Sequence, residues 1–160
     1  MRCLSLTQPY ATLVSISAKT IETRSWKTNY RGPLAIHAAK GFPKWAKDIC
    51  QGQPFRTCLG LPEPYSKGLN SYGPSWQGEI DEMVRELPRG CVLATCKLVD
   101  CERTDLFTSE GYGSGYRLTE QERAFGDYSP GRWAWVLEDV KPLAEPVPAK
   151  GMLGLWEWKP

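Results

Sequence analysis

The sequence predicts a small mixed β-barrel of the α+β class, flanked by helices and interrupted by one long inserted loop. Short stretches of two-residue alternation recur along the chain, separated by only a few segments with helical spacing. The 160 residues, 41% of them apolar, suit one compact core better than two, so residues 1–160 are read as a single domain. No apolar run reaches the roughly eighteen residues of a membrane span, and the first residues lack the long apolar stretch of a secretion signal. A soluble, cytoplasmic protein with no membrane partner is expected.

Arg2 to Leu6 reads as an opening strand. Thr7 can cap the helix that follows, with Pro9 tolerated in its first turn and Tyr10, Leu13, Val14 and Ser17 along one side. That helix should end just before Lys19. Residues 20–26 favour a strand because Thr20, Ile21 and Thr23 are β-branched, which places Thr20, Glu22, Arg24 and Trp26 on one face. Thr28 to Pro33 is a turn by composition, and Leu34, Ile36 and Ala38 then alternate with Ala35, His37 and Ala39 as in a strand. Pro43 opens a second helix through Trp45, Ala46 and Ile49.

Gln51 to Gly78 is rich in Gly, Pro and Ser, with no sustained period, and reads as a long loop. Glu79 to Leu87 then suits a short helix, Cys91 to Val99 a strand, and Thr108 to Arg117 a second loop. Thr119 and Glu122 fit a capping box, which would by itself account for Glu122. Arg132 to Val140 is a strand after the Phe125 to Gly131 turn, and Gly154 to Trp158 returns to the sheet. Trp133 and Trp135 share a strand face and are expected in the core.

Net charge is only +2, but its distribution is uneven. Residues 1–60 carry nine Lys and Arg against Glu22 and Asp48, while the remaining hundred carry eleven basic and sixteen acidic residues. A polyanion-facing side would produce this split, as would a basic face that is merely solvated. The six cysteines, with no secretion signal, are expected as reduced buried thiols. Cys91, Cys96 and Cys101 recur at an odd spacing that would alternate their faces on a regular strand, so no metal site is expected, and no cofactor. There is no Gly-x-x-x-x-Gly-Lys loop and no Gly-x-Ser-x-Gly elbow. With one histidine, a Ser-His or Cys-His mechanism would have to pass through His37, and no adjacent feature nominates a nucleophile.

Leu4 to Ala11, Leu13-Val14, Lys19-Thr20-Ile21-Glu22-Thr23-Arg24 and Tyr30 to Ala39 resemble the N-terminal half of the ASCH family, the activating signal cointegrator homology domain. Phe125 to Tyr128 and Gly131 to Trp135 resemble its C-terminal half. The centre is a Gly-x-Lys-x-x-Glu-x-Arg pattern, from which this chain departs once, with Ser17 in the glycine place. The resemblance omits residues 51–88, read as a family-variable insertion. It implies a PUA-like β-barrel whose cleft lies between barrel and first helix, bordered by the Lys-Glu-Arg strand. The partners it implies are RNA or a nucleotide, with DNA left open. Family members include nucleic-acid binders, an amidohydrolase acting on an acetylated cytidine and a ribonuclease, and the fold does not choose among them.

Lys19 then reads as a phosphate contact or catalytic amine, against a surface lysine suiting a helix C-terminus. Glu22 and Arg24 read either as a simple ion pair or as a base acceptor and a phosphate holder. If the protein is an enzyme, Lys19 and Glu22 are the catalytic candidates. Tyr30 and Arg31 offer an aromatic face beside a guanidinium, His37 a strand imidazole, and Arg132 a cation at the cleft edge; each has a structural alternative.

Overall fold

The computed structural model describes residues 1–62, 74–108 and 115–159, without the side chains of 74–77. The Gln51 to Gly78 and Thr108 to Arg117 loops fall partly outside these residues. Strands β1 (Arg2–Leu6), β2 (Ile21–Arg24), β3 (Gly32–Ala38), β4 (Cys91–Arg103), β5 (Trp133–Pro148) and β6 (Leu155–Glu157) form one sheet in the order β2-β5-β4-β3-β1-β6. β1 pairs with β3 in parallel, and the other neighbours are antiparallel. The sheet curls until Arg24 of β2 donates from Nη2 to the Ser5 carbonyl of β1 at 2.8 Å. This is the PUA-like half-barrel that the resemblance implies.

Alternation on β1 and β3 sends Leu4, Leu6, Leu34, Ile36 and Ala38 inward, where they pack with Trp135, Leu137 and the Ala11 and Val14 side chains of helix α1 (Tyr10–Ser15). Trp135 is fully buried, as its alternation predicts, and Trp133 packs on the same core from a half-buried position. The opposite face carries a smaller cluster of Cys3, Ala35, Val92, Trp156 and Trp158. Burying each large side chain contributes roughly 1.5–3 kcal/mol, so the inner core dominates.

Several boundaries differ from the sequence reading. The N-terminal amide of Thr12 in α1 is satisfied by Gln8 Oε1 at 3.1 Å, and Thr7 plays no capping part. Helix α2 (Lys44–Ile49) starts after Pro43 as expected, and the helix read from Glu79 is found as α4 (Pro74–Arg85), beginning earlier at Pro74, but α3 (Phe55–Cys58) lies wholly in the stretch read as loop. The Pro and Gly content of that stretch hid α3 and the first turn of α4, while Ile80 and Val84 of α4 pack with Cys50 and Leu61. β4 runs four residues beyond Val99 because bulges near Val92, Thr95 and Leu98 reset its alternation. The same bulges bring Cys91, Cys96 and Cys101 into one core cluster, correcting the expectation that they alternate. β5 continues through Pro142 and Pro148 because β2 pairs only with Trp133 to Val136, leaving the far half of β5 with β4 alone. Among the described residues no helix is long and apolar enough to cross a membrane.

Candidate functional site

Helix α1 ends in a left-handed turn. Ser17 has φ of 60°, its N–H donates to the Val14 carbonyl at 2.9 Å, and the Ala18 N–H donates to the Leu13 carbonyl at 2.9 Å. This paired closure is a Schellman motif, with serine in the place that favours glycine. Immediately after it, Lys19 turns inward and is fully buried.

Lys19 Nζ donates to the carbonyls of Ile21 and Phe125, the latter at 2.7 Å, and stands 3.5 Å from Glu22 Oε2. Two carbonyls and the Glu22 carboxylate thus surround an ammonium that has three N–H groups to offer. Glu22 on β2 receives a second cation, Arg24 Nε, 3.1 Å from Oε1. That contact is an ion pair without hydrogen-bond alignment, so the buried Arg24 Nε–H has no aligned acceptor among the described residues. The Glu22 side chain is 11% exposed and that of Arg24 26%, so this pair forms the open edge of the group and Lys19 its floor. Lys19 lies before β2 begins, so strand parity does not fix its direction; the turn does.

Two further elements complete the group. Tyr10 of α1 places its ring 5.7 Å from Lys19 Nζ, and its phenol is pushed up first by burial and then by the Glu22 charge. Glu122, on helix α5 (Glu120–Ala124), is buried; its carboxylate accepts from Thr20 N at 2.9 Å, Thr20 Oγ1 at 3.1 Å and Ile21 N at 3.0 Å. Thr119 caps α5 through Oγ1, but Glu122 does not complete the box: it anchors β2 instead. The Phe125 to Tyr128 turn then packs on β2 so closely that a Cβ on Gly126 would stand 2.8 Å from Tyr128 and 3.0 Å from Thr23. Burial, then the charges of Glu122 and Glu22, raise the Tyr128 phenol, and among the described residues its hydroxyl has no hydrogen-bond partner.

The other sequence candidates lie apart from this group. Arg132 Nε stands 3.3 Å from Asp127 Oδ2 and donates to the Asp127 carbonyl at 3.1 Å, bracing the turn beside β2. Tyr30 donates its hydroxyl to the Pro33 carbonyl at 2.6 Å, while Arg31 reaches Asp100 on β4 at 3.2 Å. His37 is nearly fully buried on the opposite face of the sheet, against Trp156. Glu122 and Tyr10 escape sequence reasoning because a cap and a core aromatic explain them locally; only their long-range contacts reveal the site.

The ASCH domain family model matches residues 4–147. Activating signal cointegrator 1 of Mus musculus and that of Homo sapiens are each 25% identical over 155 residues, which cover 97% of this chain. The chain spans 22% of the length of these relatives.

Proposed function

The chain belongs to the ASCH domain family, and from that premise we propose that it binds RNA or a nucleotide in the cleft bordered by Lys19, Glu22 and Arg24. Glu22 carries the reading: an almost enclosed carboxylate is fixed between two cations, one of which retains an unaligned N–H. A fixed carboxylate edge accepts hydrogen bonds from a base amine, and buried donors seldom go unsatisfied. Arg24 is the group to meet a phosphate or base carbonyl, and Lys19, with no exposed surface, acts as a positioning residue. Arg31 and Arg132 are available to add phosphate contacts from flanking turns, and Tyr30 an aromatic surface. His37 has no part in this cleft.

Titration of short single-stranded RNA at rising salt tests this reading. Affinity should fall steeply with salt, and Glu22→Gln or Arg24→Ala should each weaken it by about tenfold. Unchanged affinity in both variants, with the fold intact, rejects the cleft. DNA of the same sequence measures how far the 2′-hydroxyl is read.

The Lys19 to Glu22 separation of 3.5 Å supports a second reading, hydrolysis of a modified nucleoside such as an acetylated cytidine, or of RNA. With Lys19 donating to two carbonyls and held as a cation beside it, Glu22 is the group placed to take a proton. Water would add to the acyl carbon as Glu22 accepts its proton, and the C–N bond would break as that proton passes to the leaving nitrogen. Mass spectrometry of acetylated cytidine and RNA incubated with the protein should show product, lost in Glu22→Gln; no product rejects hydrolysis.

A further inference from the structure

A second cavity, of about 950 Å³, lies on the outer face of the sheet, where the ends of β1, β3 and β5 meet the segment leading to β6. It is separate from the Lys19 group, which faces the inner side. Ser5 and His37 form its floor. The Ala149 carbonyl lies 3.1 Å from His37 Nε2, which must therefore carry the proton, and Ser5 Oγ lies 3.1 Å from Nδ1. The overlying strap rests on this pair: a Cβ on Gly151 would stand 2.8 Å from His37 Nδ1 and 3.0 Å from Ser5 Oγ.

Lys40, Arg89 and Lys150 line the cavity, and no carboxylate does. Among the described residues, none of these three cations has an ion pair. Arg89 spends one N–H on the Arg85 carbonyl and lies over the Phe42 ring, which fixes its plane without neutralising it. Apolar surface supplies most of the remaining wall, and at the mouth Met152 and Leu153 are 52% and 98% exposed.

We propose that this cavity binds a small phosphate monoester with a compact apolar body. Three unpaired cations about one concavity repel one another and attract an anion of more than one charge. A phosphate monoester carries about −1.5 to −2 at neutral pH and presents three acceptor oxygens, whereas a carboxylate supplies one charge and two. The apolar wall takes the body, and the volume falls within the usual span of small-molecule sites, about 300–1,000 Å³.

Naphthyl phosphate is the probe, and its binding is followed by calorimetry. Saturable one-to-one binding is expected, with naphthol and inorganic phosphate each weaker by about tenfold or more. Replacing Lys40, Arg89 and Lys150 together by alanine should weaken binding by at least about tenfold. Replacing Lys44, Lys97 and Lys159, the same charge placed elsewhere, should leave it unchanged. Absence of saturation, equal loss in both triple variants, or inorganic phosphate binding as tightly as the monoester would overturn the proposal. Displacement of the probe by an RNA oligonucleotide would overturn it too, because the cavity would then belong to a nucleic-acid path. RNA binding lost in Glu22→Gln with naphthyl phosphate binding retained separates this cavity from the inner cleft.

Discussion

At the scale of single residues, three side chains, two of them supporting the site and one on the opposite face, have replacements with distinct costs. Ser17 holds a left-handed backbone at the close of α1, where a Cβ is penalised, so Ser17→Gly should stabilise the protein by about 1 kcal/mol. For a chain of this size that raises Tm by roughly 2–4 °C in calorimetry. Ser17→Ala, which keeps the Cβ, should not. Glu122→Ala removes an acceptor shared by two backbone N–H groups and a hydroxyl, and should cost about 2–4 kcal/mol in denaturant unfolding. A loss below about 0.5 kcal/mol would mean that β2 does not depend on this anchor. His37 gives a pH dependence that is simple to assign because it is the only histidine. Burial holds its folded pKa below the ordinary 6.5. Its contribution is therefore complete above 6.5 and lost as pH falls toward the folded value, where the unfolded chain binds the extra proton. Stability should drop between pH 6.5 and the carboxylate range, and His37→Gln should flatten that slope.

At the scale of elements, β2 shows what was legible and what was not. Its β-branched residues and the shared face of Glu22 and Arg24 could be read from spacing alone, and β1, β3 and α2 were equally plain. The direction of Lys19 could not, because a turn and two carbonyls from distant segments set it. β4 and β5 outran their visible patterns for a physical reason: bulges shift parity, and prolines survive where a neighbouring strand stops. His37 was correctly turned away from the inner core, yet spacing could not show that the opposite face leads to another cavity. The Phe125 to Tyr128 turn makes the dependence of site on element testable. Gly126→Ala pushes a methyl against Tyr128 and Thr23, so the turn must move and with it the carbonyl that holds Lys19. The expected cost is about 1–3 kcal/mol, accompanied by weaker RNA binding. Full stability with unchanged amide shifts over 19–24 would show that the turn and strand are not coupled.

At the scale of the whole molecule, the inner core of the curled sheet and the helical cluster beside it need not open together. The inner core runs along β4 and the first half of β5, whereas the helical cluster of Cys50, Leu61, Ile80 and Val84 is small and stands apart from it. The thiols report on these regions. Burial pushes both Cys50 and Cys96 up to about 12, so neither thiol reacts while enclosed and labelling of either requires opening. Cys58, half-buried on α3, needs little opening at all. Under native conditions alkylation followed by mass spectrometry should therefore label Cys58 first. Cys50 should follow through local release of the helices, and Cys96 should react only at the rate of global unfolding. Mild denaturant should accelerate Cys96 far more than Cys50, because the surface exposed in global opening is larger. Cys50 and Cys96 reacting at one rate, with one denaturant slope, would instead make the helical layer and the sheet a single cooperative unit. The order matters for function because Tyr10, which faces Lys19, packs on Phe55 of α3 at a ring separation of 6.0 Å, so a separately opening helical layer would remove the support of Tyr10 while the sheet stayed folded.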